Sequence, residues 1–120
     1  MEKTVRMALL FDLYGELLTE RQREYFGLYY DENLTLSEIA ENSGVSRQAV
    51  RDLVSKSEAA LEAIERKTKL LAKFEEINAG LDAVASCVGE INALNDGKLK
   101  SKELSGLCGK ISGLVERMKQ

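Results

Sequence analysis

The chain has 120 residues, with 17 Lys and Arg against 20 Asp and Glu, and carries a net charge of −3 at neutral pH. That length allows one compact domain, or a small domain with a helical appendage. Histidine and proline are both absent, and no Gly-rich phosphate loop occurs. Without histidine, His-based catalysis and most zinc sites are excluded, so we expect a protein that is not an enzyme and binds neither metal nor cofactor. Without proline, no residue is an obligatory helix breaker, so we expect an all-helical fold.

The first predicted helix covers about residues 3–18 and only superficially resembles a signal peptide. Asp12 and Glu16 interrupt its apolar residues, and no small-residue cleavage site follows. No later segment approaches the run of about 18 apolar residues that a membrane helix needs. We interpret the segment as an amphipathic helix and expect a cytoplasmic protein with no membrane partner.

Two capping boxes mark the next helix starts. Thr19 precedes Gln22, and Thr35 precedes Glu38, at the spacing that lets the paired side chains satisfy backbone N–H groups. The helices predicted from these caps cover about 20–30 and 36–42. The first of them carries apolar and aromatic residues at helical spacing, which favours core packing over base stacking: Tyr25, Phe26, Leu28 and Tyr29.

Residues 36–53, LSEIAENSGVSRQAVRDL, have the pattern of a helix-turn-helix. Ala40 is small where the two helices would cross, Gly44 suits a turn with positive φ, and Ser46 is an N-cap for a helix beginning near 47. The predicted shared core consists of Leu36, Ile39, Val45, Val50 and Leu53. The pattern is a strong indication of fold and a weaker one of DNA binding, because a fold does not decide function.

The second helix of this motif supplies the candidate nucleic-acid-binding residues. Arg47 or Arg51 could pair with guanine, Gln48 with adenine, and Ser46 with a phosphate. The complete candidate set is Ser46, Arg47, Gln48, Arg51 and Ser55, with Asp52 on the same face. The alternative is an ordinary solvated helix face.

The C-terminal half predicts one long helix and then a helical hairpin. No Gly or Pro occurs from Ser46 to Ala79, Gly80 would kink or divide the helix, and residues 94–101 form a turn. Apolar residues follow a heptad pattern in both predicted arms: Leu70, Phe74, Ile77, Leu81, Val84, Val88, Ile91 and Leu94, and then Leu104, Leu107, Ile111, Leu114 and Met118. Small residues spaced by four in the last helix would let another helix approach closely: Ser105, Gly109 and Gly113.

Two such narrow amphipathic helices cannot bury both apolar seams alone. We therefore expect a helix-turn-helix domain at 1–65 and a C-terminal region at 66–120 that forms a homodimer. The alternative is a monomeric hairpin packed on the first domain. Cys87 and Cys108 have no paired spacing, so we expect buried thiols and not a disulfide or a zinc site.

The stretch LLTERQREYFGLYYDENLTLSEIAENSGVSRQAVRDLVSKSEAAL resembles region four of bacterial sigma factors, where a similar TERQRE helix precedes the helix-turn-helix. Together with the preceding residues, including LFDLYGELLT, the chain is similar to the YlxM family of small helix-turn-helix proteins over about residues 1–75. The resemblance implies a regulatory role with the protein or RNA of the signal recognition particle and no catalytic residues. Its sigma-like part implies a nucleic-acid-facing helix at Arg47, Gln48 and Arg51.

The charge balance weakens the case for DNA binding. Residues 1–56 contain seven basic and ten acidic side chains, and Glu38, Glu41 and Asp52 lie near the predicted contact face. A protein that neutralises phosphates usually presents a basic surface. Two functions therefore stay open: a regulator that binds DNA or RNA, and an adaptor that modulates signal recognition particle components through protein contacts.

Overall fold

The computed structural model describes residues 1–119 and contains six α-helices, with no strand in that range. The elements are α1 (Lys3–Tyr14), a 3-10 turn (Gly15–Leu17), α2 (Glu20–Tyr30), α3 (Leu36–Ser43), α4 (Arg47–Thr68), α5 (Leu70–Leu94), a π-helical turn (Asn95–Leu99) and α6 (Lys102–Met118). The all-helical fold class is confirmed. The chain forms two compact units that divide between Leu71 and Ala72, whereas the sequence placed the division after residue 65.

Both predicted capping boxes are present. The Thr19 hydroxyl accepts a bond from the Gln22 backbone N–H at 3.1 Å, and the Gln22 side chain accepts one from the Thr19 N–H at 3.0 Å. Thr35 and Glu38 repeat the arrangement, with both bonds at 3.1 Å. Because these bonds satisfy N–H groups that have no partner inside the helix, the starts of α2 and α3 are decided by residues within one turn.

The first helix ends four residues earlier than predicted. It stops at Tyr14, one 3-10 turn follows, and Leu18 adopts an extended backbone with φ −76° and ψ 157°. An extended residue cannot continue α-helical bonding, and the Leu18 side chain is buried in the core. Gly15 allows the tight turn, since a Cβ there would lie 3.0 Å from the Phe11 ring.

The first unit is built around two apolar clusters that share α2. One joins α1 to α4 and the start of α5 through Met7, Leu10, Tyr14, Leu18, Phe26, Leu61 and Leu71. The other is the core of the helix-turn-helix, formed by Tyr25, Ile39, Ala40, Val50 and Val54, with Leu36, Val45 and Leu53 packed against it. The predicted core positions of Tyr25 and Phe26 are therefore confirmed.

The long helix predicted beyond Ser46 is interrupted at Lys69, which adopts a left-handed backbone with φ 57°. The cause is a buried carboxylate one turn earlier. Glu65 is only 6% exposed, and it accepts hydrogen bonds from the Tyr14 hydroxyl at 2.7 Å and from the Leu71 backbone N–H at 3.0 Å. These bonds hold Leu71 in the first unit, so the chain must turn between α4 and α5.

The second unit is an antiparallel pair formed by α5 and α6. Its buried seam repeats every seven residues, with Leu81 and Val88 from α5, Asn95 from the π-helical turn, and Cys108 and Val115 from α6. An ion pair of 2.6 Å between Lys119 and Asp82 links the end of α6 to α5 and raises the pKa of the lysine.

A buried asparagine closes the turn predicted over residues 94–101. The Asn95 amide donates to the Ser101 carbonyl at 2.8 Å and to the Ser105 hydroxyl at 2.9 Å. Its amide oxygen accepts a bond from the Ser101 N–H at 2.7 Å. A polar side chain that is 1% exposed is stable there because all its bonding groups are used.

Two expectations about the second unit were wrong. α5 runs through Gly80 without a break, because nothing crowds that position and the apolar periodicity continues on both sides. Cys87 is exposed, since it lies next to the seam residue Val88 and not on the seam itself. The close approach of another helix to the small residues of α6 stays a prediction, since a Cβ built at Gly109 or Gly113 meets no described atom within 4 Å in the single chain.

Most of the predicted heptad stripe is exposed. Leu81 and Val88 are the buried members in α5, whereas Phe74, Ile77 and Val84 are more than 40% exposed. In α6 the exposed members are Leu107, Ile111, Leu114 and Met118. The hairpin therefore buries one narrow seam and leaves a second row of apolar side chains in solvent.

Candidate nucleic-acid interface

The helix-turn-helix consists of α3, the turn at Gly44 and α4. Gly44 has φ 69° and ψ 27°, the left-handed conformation that glycine adopts without a steric penalty. The Val45 N–H bonds to the Ala40 carbonyl at 3.2 Å and closes the end of α3. Ile39 and Val50 are fully buried where the two helices face each other, so the crossing of α3 and α4 is fixed by the predicted residues.

Replacing Gly44 with alanine is expected to destabilise the first unit by about 1 kcal/mol, because a Cβ is disfavoured at positive φ. Thermal and urea denaturation followed by circular dichroism would measure the change. Gly27→Ala is the matched control, since Gly27 lies inside α2 and its new Cβ would make only an ordinary contact with Phe11 at 3.9 Å. Equal stability losses in the two variants would show that backbone strain at Gly44 is not the cause.

Five residues predicted to contact nucleic acid are exposed along the start of α4: Ser46, Arg47, Gln48, Arg51 and Ser55. The buried side chains of Val50 and Val54 lie on the neighbouring side of the helix, which packs against the core of the helix-turn-helix. The helix thus holds the candidate residues on one solvent-facing side over its first turns. The Ser46 hydroxyl also caps α4 by accepting the Ala49 N–H at 3.0 Å, which leaves its proton free to donate.

The two arginines on this face differ from Gln48 in their bonding. Arg47 and Arg51 form no salt bridge with any residue in the range 1–119. Gln48 instead donates from its amide to the Asp52 carboxylate at 2.9 Å. The guanidinium groups are therefore available for an external anion, whereas the amide is held by a neighbouring acid.

A cleft that sequence reasoning missed lies beside the arginines. Lys3 and Thr4 from the start of α1, Tyr29 from α2, Leu36 from α3 and Arg47 from α4 line a hollow of about 520 Å³. A second hollow of about 420 Å³ shares Lys3, Tyr29 and Arg47 and continues to Arg51 and Ser55. We call the two together the α1 cleft. No local signal marks it, because Lys3 is far from the motif in sequence.

A hydrogen-bonded acid lines the second hollow of the α1 cleft. The Glu58 carboxylate accepts the Tyr30 hydroxyl at 2.6 Å and pairs with the Lys3 ammonium at 3.1 Å. Burial, followed by the bond to Glu58, raises the pKa of Tyr30, which stays protonated and donates. Next to it, Arg6 binds Glu62 through two bonds of 2.7 and 3.0 Å and lowers the pKa of that carboxyl. These contacts fix the start of α1 on α4.

Residues 1–119 carry neither a metal cluster nor a membrane-spanning helix. No cluster of three or more Cys, Asp or Glu side chains there is placed to hold a metal ion. None of the helices in that range is both long enough and apolar enough to cross a membrane.

Comparison with known proteins gives a consistent result. The family model described as "Putative helix-turn-helix protein, YlxM / p13 like" matches residues 1–96. The UPF0122 protein BH2485 of Halalkalibacterium halodurans is 46% identical over 107 residues, which cover 89% of this chain and 92% of that protein. UPF0122 proteins of Bacillus cereus strain AH187 and Bacillus anthracis strain A0248 are each 46% identical over 96 residues, covering 80% of this chain and 87% of theirs.

Proposed function

The chain belongs to the YlxM/p13-like family of helix-turn-helix proteins, and from this premise we propose that it is a nucleic-acid-binding regulatory protein. Its contact surface is the exposed face of α4, formed by Ser46, Arg47, Gln48, Arg51 and Ser55. Helix-turn-helix proteins place the start of the second helix in the major groove, where side chains reach base edges.

One observation carries the proposal. Arg47 and Arg51 are exposed on the same face, one turn apart, and neither is paired with an acid within residues 1–119. A guanidinium can bond guanine through two donors, or bind a phosphate in the same geometry. Ser55 continues this face by one further turn and supports a contact to the nucleic-acid backbone.

We also propose that the protein acts as a homodimer formed by the second unit. Ile77, Val84 and Ile91 of α5 lie on one side of the seam, and helical periodicity puts Ile111 and Leu114 of α6 on that same side of the antiparallel pair. A second hairpin packed on this apolar side would complete a four-helix bundle. Residues 72–120 contain seven basic and seven acidic side chains, so two copies do not repel each other strongly. The dimer would present two α4 helices to paired half-sites about one helical turn apart.

The resemblance to the YlxM family supports a regulatory role in the signal recognition particle pathway.

A second candidate function rests on the acidic charge of the first unit. Residues 1–71 contain 13 acidic and ten basic side chains, and Glu38 and Glu41 are exposed on α3. An acidic surface complements a basic one, so the alternative is an adaptor that contacts the particle's protein without binding DNA.

The test is a binding titration with purified protein at low and at physiological salt. The ligands are the DNA upstream of its own operon, the signal recognition particle RNA, and the particle's protein with and without that RNA. Saturable binding to DNA or RNA that weakens steeply with salt is the expected result, because phosphate contacts release counterions. Binding only to complexes that contain the protein, with a response to Glu38→Gln and Glu41→Gln, would favour the adaptor.

Replacing Asp52 with asparagine is expected to strengthen nucleic-acid binding, by roughly threefold at low salt, because it removes a negative charge beside the arginines while keeping the side chain's shape. The gain should shrink as salt rises. Asp12→Asn on α1 is the control, since it makes the same change in net charge at an exposed residue that belongs neither to the α4 face nor to the α1 cleft. A similar gain in both variants would mean that net charge, and not the α4 face, sets the affinity.

A further inference from the structure

The α1 cleft concentrates positive charge on a unit that is acidic overall. Lys3, Arg47 and Arg51 line it, and Glu58 is the one acidic side chain among its lining residues. Glu58 is already bonded to the Tyr30 hydroxyl and the Lys3 ammonium. The two arginines therefore leave an excess of positive charge facing the cleft, while residues 1–71 carry a net charge of −3. Such a local excess attracts an anion.

The walls of the cleft offer donors as well as charge. The Tyr29 ring meets Tyr30 edge-on, with centroids 5.0 Å apart, and its hydroxyl forms no hydrogen bond with the residues that the structure describes. Lys3 and Thr4 begin α1, where Glu2 provides no side-chain cap. The first-turn N–H groups of a helix lack acceptors inside the helix, and their dipoles add positive potential.

The position of the cleft indicates the anion. It adjoins the α4 face through Arg47, Arg51 and Ser55, which belong to both surfaces. We propose that the α1 cleft binds a backbone phosphate of the nucleic acid that α4 contacts, with Lys3 and Tyr29 donating to the phosphate beside Arg47. This rests on the proposed function and adds α1 and α2 to the contact surface. A phosphate contact positions the nucleic acid and carries no sequence preference.

Lys3→Gln and Tyr29→Phe test the cleft, with Lys67→Gln as the control for charge. Lys67 is exposed in the last turn of α4 and lies away from the cleft, whereas Tyr29→Phe keeps the packed ring. Binding of the operon DNA and of the particle's RNA would be measured by fluorescence anisotropy over a salt series. Lys3→Gln should lower the slope of log affinity against log salt by about one and weaken binding equally across sequences, and Lys67→Gln should do neither. Tyr29→Phe should weaken binding severalfold.

A second arm uses inorganic pyrophosphate and the free protein, followed by NMR of the backbone amides. Shifts at Lys3, Thr4 and Arg47 that disappear in Lys3→Gln support the cleft independently of nucleic acid. Nucleic-acid binding with an unchanged salt slope in Lys3→Gln and no effect of Tyr29→Phe would overturn the cleft and leave the proposed function intact. Pyrophosphate shifts without nucleic-acid binding would overturn the proposed function and assign the cleft to a free phosphorylated ligand. If neither ligand binds, both proposals fail.

Discussion

Replacing Ile111 and Leu114 together with lysine is expected to convert the proposed dimer into a monomer. Ile111 is 38% exposed and Leu114 44% exposed, and both lie on the open apolar side of the second unit. In a four-helix bundle these positions would be buried, where an unpaired ammonium costs several kcal/mol. Two copies would bury four such charges, so the loss of association should be complete at micromolar concentration.

The substitutions should leave the hairpin itself folded. Lysine is a good helix former, and the buried seam at Cys108 and Val115 is untouched. Light scattering after size exclusion, or sedimentation equilibrium, would give the mass. Circular dichroism would confirm that the helix content is kept.

Gly106→Lys combined with Gly113→Lys is the matched control. These glycines are exposed on the outer side of α6, and a Cβ at either meets nothing within 4 Å. The control adds the same charge and should leave a dimer. Dissociation in the control but not in the first variant would move the interface to the glycine face. A monomeric parent protein would contradict the dimer.

Replacing Arg51 with alanine is expected to weaken nucleic-acid binding by about ten- to a hundredfold, equivalent to roughly 1–3 kcal/mol for a bidentate base contact. Arg51 is exposed on α4, belongs to the lining of the α1 cleft, and has no acidic partner within residues 1–119. In a dimer both half-sites lose the contact, which enlarges the effect. Stability should hardly change, because the side chain packs against no core cluster.

Arg66→Ala provides the comparison for Arg51→Ala. Arg66 lies in the last turn of the same helix and is also exposed, so the change in charge is identical and only the position differs. Anisotropy titrations at two salt concentrations, with the operon DNA and the particle's RNA, would measure both variants. Unchanged binding by Arg51→Ala, together with binding confined to complexes containing the particle's protein, would mean that the helix-turn-helix serves as a scaffold for protein contacts.

The two variants separate the roles proposed for the two units. Ile111 and Leu114 lie in the second unit and Arg51 in the first. A monomer that still contacts a single half-site should bind more weakly, yet still lose affinity on Arg51→Ala. The double-lysine variant should therefore lower apparent affinity without removing the dependence on Arg51.

The sequence alone determined the parts of this protein that depend on neighbouring residues. The caps at Thr19, Thr35 and Ser46 and the left-handed turn at Gly44 act over three or four positions. Their side-chain chemistry is sufficient to specify them, and the apolar spacing of α3 and α4 specified the core of the helix-turn-helix. For the same reason, the residues placed on the exposed side of α4 could be read directly from helical periodicity.

Tertiary structure decided what depends on residues distant in sequence. The break at Lys69 follows from a bond between Tyr14 and Glu65, which are 51 residues apart, and the α1 cleft brings Lys3 beside Arg47. In the second unit, periodicity identified apolar rows but not which row the hairpin buries. The seam falls on Leu81, Val88, Cys108 and Val115, because the turn held by Asn95 sets the register of α5 against α6. Local periodicity shows which side of a helix is apolar. Which other helix buries that side depends on tertiary packing between residues distant in sequence.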